Sequence, residues 1–304
     1  MSIVVQNVTK LYGEQKALNN VSFEIKTGEI VGFLGPNGAG KSTMMKIITG
    51  FIPASSGLVR VNGINAGTED PEVRRKIGYL PENNPLYPEM YIREYLGFVA
   101  SLYNLGKSKK KSVDDIISIT GLTTEQNKKI GSLSKGFRQR VGLAQALIHN
   151  PDVLILDEAT SGLDPNQIVE IRNLIKEAGR EKTIMLSTHI MQEVEAICDR
   201  VIIIDKGVIV ADEEKNNIYS RLKRLLQIVQ VEFDKMPSES DLAGLYNVKR
   251  VRCISGNIWI VEAEGEDDIR PLIFSFAVRN NLTVLSLQKQ ENNLEEVFRH
   301  LTTG

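Results

Sequence analysis

Gly35-Pro36-Asn37-Gly38-Ala39-Gly40-Lys41-Ser42-Thr43 is the stretch whose reading decides the fold. It follows an apolar run, Ile30 to Leu34, and precedes a helix-like segment, Thr43 to Thr49, closed by Gly50. That is the strand, loop and helix setting in which G-x-x-x-x-G-K-[ST] cradles phosphate. Glycines let the backbone wrap around phosphate oxygens, so that successive N–H groups and the positive end of the next helix face the anion. In this reading Lys41 reaches the terminal phosphates as a point charge and the Ser42 hydroxyl holds a magnesium ion. The bland alternative is a glycine-rich turn between a strand and a helix.

At 304 residues the chain has room for one large domain and a smaller one. Its composition, 42% hydrophobic and 25% charged, is that of a soluble globular protein, and a formal charge of −1 gives no field to draw it to nucleic acid. Cys198 and Cys253 stand far apart with no C-x-x-C or His/Cys cluster, which fits a reducing compartment and excludes a cysteine metal site. The N-terminus has no basic segment followed by an apolar one, and no apolar run approaches the ~18 residues of a membrane span. The expected location is the cytoplasm, on the membrane surface only where another protein holds the chain there.

Strand-like alternation at Ile3 to Val8 and Val21 to Ile25 precedes the phosphate-loop strand, with Tyr12 on a short polar loop between them. An exposed ring there can stack on a purine base, although a plain surface tyrosine fits as well. A turn at Pro53 to Gly57, a strand through Val59 to Val61 ended by Asn62-Gly63, and a strand at Ile77 to Leu80 follow. The segment Pro81 to Pro88 cannot be helix and exposes Leu86 and Tyr87, either as a contact surface or as a loop tucked over its own domain. From Ile92 to Asn150 the spacing is helical, interrupted by a basic loop, Lys107 to Lys111, with a new helix starting near Ser112.

Ser134 and Gly136, in Leu133-Ser-Lys-Gly-Phe-Arg-Gln-Arg140, stand where a helix begins. That is an N-cap and also a phosphate-binding geometry. The apolar strand Val153 to Leu156 then delivers Asp157 and Glu158 at its C-terminal end, beside the phosphate loop of an open α/β sheet. There Asp157 can enter the magnesium shell and Glu158 can polarise an attacking water, although acidic pairs also end strands as solvated turns. Ser161 to Asp164 comes next, and a second buried strand, Thr183 to Leu186, delivers Ser187, Thr188 and His189. In a nucleotide site a histidine so placed can hydrogen-bond the γ-phosphate or the attacking water.

In family order these motifs resemble the ATP-binding subunit of an ABC transporter, over roughly Met1 to Asp212. The resemblance implies a P-loop NTPase α/β fold. It comprises a RecA-like core, an antiparallel β subdomain and an α-helical subdomain at about 84–150. It also implies ATP and Mg2+ as cofactors and a second ATPase subunit, most simply another copy, that sandwiches two ATP molecules head to tail. Ser134 and Gly136 of one subunit then contact the γ-phosphate held by Lys41 of the other. Glu158 is the implied base, His189 the phosphate sensor, and Asp164 part of the nucleotide site.

Three positions depart from the usual pattern. Glu82 stands where glutamine is usual, keeping an oxygen for metal or water but adding a negative charge. Lys135 and Phe137 replace glycine and glutamine in the signature, and Ala159 replaces the proline after Glu158. The phrases Ile77 to Asn83, Leu133 to Arg140 and Asn293 to Phe298 resemble the branch that partners ABC-2-type permeases, nearest to the gliding-motility subunits of Bacteroidetes. A bacterial inner-membrane exporter is implied, with Glu82 to Tyr95 as the permease groove. Ribosomal and DNA-repair ABC ATPases are the contrasting class; they carry paired cassettes or long coiled coils, and this chain has neither. A regulatory ATP-binding module with little turnover is the other, and intact Glu158 and His189 speak against it.

Beyond Asp212 a charged helix-like linker, 213–225, leads to a domain at 226–304 with the order β-α-β-β-α-β, the ferredoxin-like pattern, and a last apolar-faced helix at Leu294 to Leu301. No chemistry is visible there; a regulatory, dimerising, docking or packing role is expected.

Overall fold

The computed structural model describes residues 2–67, 71–215, 217, 227–265 and 267–290. Two compact units emerge, Met1–Glu213 and Glu214–Gly304. The first is built on a six-stranded sheet whose central members are β3 (Ile30–Leu34), β8 (Thr183–Thr188) and β7 (Val153–Asp157). Every residue of these three strands is buried. Such continuous apolar runs suit a parallel strand covered on both faces. The order is β10 (Val208–Glu214), β9 (Arg200–Asp205), β3, β8, β7 and β6 (Ile77–Leu80), with β9, β3, β8, β7 and β6 parallel. The C-terminal ends of β3, β8, β7 and β6 therefore form one row, and the loops leaving them share one edge of the sheet.

A second, antiparallel sheet joins β2 (Gln15–Ile25), β1 (Ile3–Tyr12), β4 (Ser56–Val61) and β5 (Ile64–Asn65). It shares one core with β3 and α1 (Lys41–Ile48), through Val5, Leu18, Phe23, Phe33, Met44 and Ile48. The two N-terminal strands run further than the alternation suggested. Tyr12 pairs with Gln15 across the turn, so the tyrosine ends a strand rather than sitting on a loop.

The helical subdomain packs α3 (Ile92–Leu102), α4 (Lys109–Ile119) and α5 (Lys135–Leu147) around Tyr95, Leu96, Val113, Ile117, Leu122 and Val141. Here the basic run is not a loop. A short 3-10 turn, Gly106–Ser108, carries Lys107 and passes directly into α4, so Lys109, Lys110 and Lys111 form the helix's first turn and Ser112 lies inside it. Lysine is a good helix former, and a basic tract on an exposed first turn needs no loop to stay solvated. Leu86 is likewise half-buried against this core, whereas Tyr87 is exposed, packing edge-on to Tyr95 and Phe98 at 6.0 and 6.2 Å. The remaining helices of this unit are α2 (Pro71–Lys76), α6 (Pro165–Gly179) and α7 (Met191–Ile197).

In the second unit an antiparallel sheet has the order β12 (Val248–Ser255), β13 (Ile258–Ala263), β11 (Gln227–Phe233) and β14 (Val284–Gln290). With α8 (Glu239–Ala243) and α9 (Arg270–Arg279) in sequence between them, this is the ferredoxin-like arrangement. Its core centres on Trp259, Phe233, Phe276 and Ile273. β10 continues to Glu214, so the first two positions expected in the charged linker are strand. The rest of the linker's helix, the Leu294 to Leu301 helix and the Asn293 to Phe298 phrase lie outside the described residues. Cys198 is buried and Cys253 exposed, both free thiols.

Candidate active site

The phosphate loop turns at two left-handed glycines, Gly38 at φ 81° and Gly40 at φ 109°. A Cβ on Gly40 would lie 2.6 Å from the Ala17 carbonyl oxygen, and one on Gly35 2.4 Å from that of Ile204. Both positions thus require glycine for space, and Gly40 for conformation too. Gly40 caps α1, with Lys41 at the helix's first residue. Pro36, Asn37 and Ala39 complete the turn, and Ser42 and Thr43 lie in the first turn of α1.

Lys41 is 5% exposed and donates to the carbonyls of Gly35 (2.8 Å) and Pro36 (3.2 Å), with its Nζ 3.7 Å from Glu158 Oε1. Burial lowers its pKa, and the charges of Glu158, Asp157 and Glu82 oppose that shift. The same Glu158 oxygen lies 3.0 Å from His189 Nδ1. Glu158 itself is held at φ 50°, a left-handed conformation that a non-glycine residue rarely keeps unless the surroundings impose it. Its N–H donates to the Ser187 carbonyl of β8 (3.1 Å) and its carbonyl accepts from Ser161 N–H (3.0 Å), so the neighbouring strand and the turn's own far side pin it.

Asp157 is buried and accepts at Oδ1 from the Ser187 hydroxyl, which leaves the rest of its carboxylate for a ligand. Ser42, Asp157 and Glu82 line one cavity of about 730 Å³, together with Tyr79, Phe51, Tyr103 and others. The Tyr79 hydroxyl is buried there without a partner, and its pKa is pushed up by burial and by the Asp157 and Glu82 charges. Among the described residues no cluster of three or more His, Cys, Asp or Glu is poised to hold a metal unaided. A few hard oxygen donors beside a phosphate cradle suit magnesium, which takes one or two carboxylates and completes its shell with waters and phosphate. The residues present therefore fit that ion.

A family model described as ABC transporter matches residues 18–161. The linearmycin resistance ATP-binding protein LnrL of Bacillus subtilis is 36% identical, covering 98% of this chain and 97% of its own. The chain belongs to the ABC transporter family of ATP-binding subunits. The bacitracin transport ATP-binding protein BcrA of Bacillus licheniformis is 34% identical, over 100% of this chain and 99% of BcrA. Among solved structures, the ATP-binding cassette MJ0796, a dimer bound to ADP and Pi in a post-hydrolysis state, superposes with a TM-score of 0.64. It is 31% identical and covers 70% of this chain and 98% of its own. This ABC subunit is an ATPase, and among its described residues no helix is long and apolar enough to cross a membrane.

Of the residues picked out in the sequence, the structure brings Lys41, Glu158 and His189 into contact and sets Ser42, Asp157 and Glu82 around one cavity. Ser134, Gly136 and Asp164 form a separate group. Ser134 caps α5 by accepting from Phe137 N–H (3.4 Å), and Asp164 caps α6 by accepting from Gln167 N–H (3.0 Å). Gly136 faces the Gln167 side chain so closely that a Cβ there would lie 2.5 Å from it. Tyr12 stands apart, 51% exposed, with Lys10 Nζ 5.3 Å from its ring centre. Among the described residues none of these four has a hydrogen bond or ion pair to Lys41, Glu158 or His189. The sequence reading named Ser187 at its strand end without giving it a role and overlooked Tyr79, whose signal was a phenol two residues before Pro81.

Proposed function

We propose that this ABC ATPase works as half of a head-to-tail pair that hydrolyses ATP and drives an ABC-2-type exporter. The convergence of Lys41 and His189 on one oxygen of Glu158, at the end of a buried strand, carries the reading. The backbone N–H groups of Gly35 to Thr43 and the Lys41 ammonium bind the phosphates, and Tyr12 stacks on the base. Ser42, Asp157 and Glu82 would hold a magnesium ion, which would neutralise phosphate charge. Glu158 takes the proton of the attacking water, while His189 orients Glu158 and the γ-phosphate. Ser134 and Asp164 are exposed, with Gly136 buried beside them against Gln167, and this group away from Lys41 is the surface we assign to the second subunit.

Export through an ABC-2-type permease is supported by full-length similarity to resistance and transport subunits and by the surface beside the cavity. Tyr87, Tyr91, Phe98, Leu102 and, across the cavity, Phe51 are exposed apolar side chains around the segment Glu82 to Tyr95. An apolar patch of this kind marks a protein contact, and a net charge of −1 gives nucleic acid no hold. The subunit then sits on the cytoplasmic face of the inner membrane, and its phrases Ile77 to Asn83 and Leu133 to Arg140 favour the gliding-motility branch. The test is affinity purification of the Glu158→Gln chain with ATP from detergent-solubilised native membranes. A multi-span permease in stoichiometric amount, lost in a Tyr87→Asp/Phe98→Asp variant, supports the proposal. Ribosomes, nucleic-acid proteins or no partner contradict it.

A further inference from the structure

Glu193, on α7, is a carboxylate that no part of the site described so far uses. It is 1% exposed, flanked by the buried Met191, Val194 and Ile197. Isolated in such a place a carboxylate costs several kcal/mol, so its contacts must compensate. The Thr160 hydroxyl, two residues beyond Glu158, donates to Oε1. The Thr188 hydroxyl, next to His189, faces the carboxylate and helps to stabilise its charge, while accepting from Ile190 N–H at 2.9 Å. Oε2 is buried without a partner, and so is Nε of Arg172 on α6, whose charge also acts on Glu193. Burial raises the Glu193 pKa, against the Thr188 hydroxyl and the Arg172 and His189 charges.

We infer that Glu193 is a positioning residue for hydrolysis: its buried carboxylate ties the loop after β7, through Thr160, to the end of β8, through Thr188. Nearer the solvent the same two strand ends are joined by the Glu158 N–H bond to the Ser187 carbonyl (3.1 Å), and their side chains meet at the 3.0 Å contact between Glu158 and His189. That contact is exposed on the histidine side, where the ring is 44% accessible, and so is weak by itself. The internal tie supplies the rigidity. It holds the strained Glu158 turn at φ 50° and sets the height of His189 above it. Cutting it frees both loops without touching the phosphate loop, because Lys41 is fixed independently by Gly35 and Pro36.

The inference rests on the roles given to Glu158 and His189, and the experiment separates the two. Steady-state ATPase kinetics are measured on the full chain with Mg-ATP for the parent, Glu193→Ala, Glu193→Gln, Thr160→Val and the Thr160→Val/Glu193→Ala double variant, with Glu158→Gln alongside. Outer supporting partners are typically worth about 10–100-fold, so Glu193→Ala should lower kcat by that factor with KM for ATP held within about twofold. Glu193→Gln, which keeps an acceptor for Thr160, should recover most of the rate. In the Thr160→Val background, Glu193→Ala should cost little more, as residues acting through one contact are not additive. A parental kcat in Glu193→Ala, a joint rise of KM, or effects of the two substitutions that multiply would overturn the inference. Should Glu193→Ala fail to fold, a parental kcat in the volume-conserving Thr160→Val overturns it alone. Full activity in Glu158→Gln would instead sink the assignment beneath it.

Discussion

His189 presents Nδ1 to Glu158 at 3.0 Å, on the same carboxylate oxygen that stands 3.7 Å from Lys41 Nζ. One oxygen thus joins the loop after β8 to the phosphate loop after β3, with β7 delivering it from the far side of β8. The arrangement follows from strand order alone, since β3, β8 and β7 are consecutive neighbours in the parallel sheet. A cation and an imidazole on one oxygen fix the direction of the carboxylate, leaving its other oxygen to face a water.

Replacing His189 with alanine removes one of those two constraints. The contact is exposed on the histidine side and worth up to about 1 kcal/mol, so the expected loss is up to roughly fivefold in kcat. ATP affinity should change little, because Lys41 and the loop N–H groups are untouched. Phosphate-release kinetics beside equilibrium ATP binding check both halves.

Gly40→Ala should be costly for a different reason. At φ 109°, with a Cβ 2.6 Å from the Ala17 carbonyl oxygen and 2.9 Å from Leu18 Cδ2, the loop must move to admit a methyl group. Sparsely allowed backbone costs about 1–3 kcal/mol before any clash is counted. The expected result is a lowered Tm and a rise in the Kd for ATP of at least tenfold. Gly13→Ala, at a left-handed turn where nothing lies within 4 Å of the added methyl, should leave ATP affinity unchanged.

His149 gives a pH dependence with a definite sign. Its ring stacks on Tyr103 at 3.8 Å and 2°, its Nε2 lies 3.1 Å from the Ile77 carbonyl, and burial lowers its pKa from 6.5 to about 4. Between those values the unfolded chain binds the extra proton. Stability is therefore complete above pH 6.5 and falls as the pH drops toward 4, by up to about 1.4 kcal/mol per pH unit from this group. Urea unfolding at a series of pH values should show a shallower slope in His149→Phe, which keeps a flat ring on Tyr103 and loses the titration.

How much of this was legible in the sequence depends on whether the signal was local. The phosphate loop, the Asp157–Glu158 strand end and the Ser134 cap are written in contiguous residues, and a short motif suffices to read them. The ferredoxin-like order was also readable, because each element is bounded by its own turn. Tyr12 was misplaced because the alternation of β1 breaks at irregular registers between Val5 and Leu11, which disguises one long strand as a short one and a loop. The lysines at 107–111 were misread because charge says exposed but does not say irregular. Glu193 was invisible for the opposite reason. Its carboxylate sits among apolar residues at helical spacing, and only the packing of α7 against Thr160 and Thr188 shows that it points inward.

The most direct test of the central claim is the fate of ATP on the Glu158→Gln chain, followed by binding and by phosphate release in one preparation. A carboxylate acting as base contributes about 10²–10⁴ in rate, while Lys41, Ser42 and the loop N–H groups that bind the nucleotide are unchanged. The account predicts ATP bound with parental affinity and recovered uncleaved, with turnover lower by that factor. Hydrolysis at the parental rate would contradict it and remove Glu158 from the chemistry.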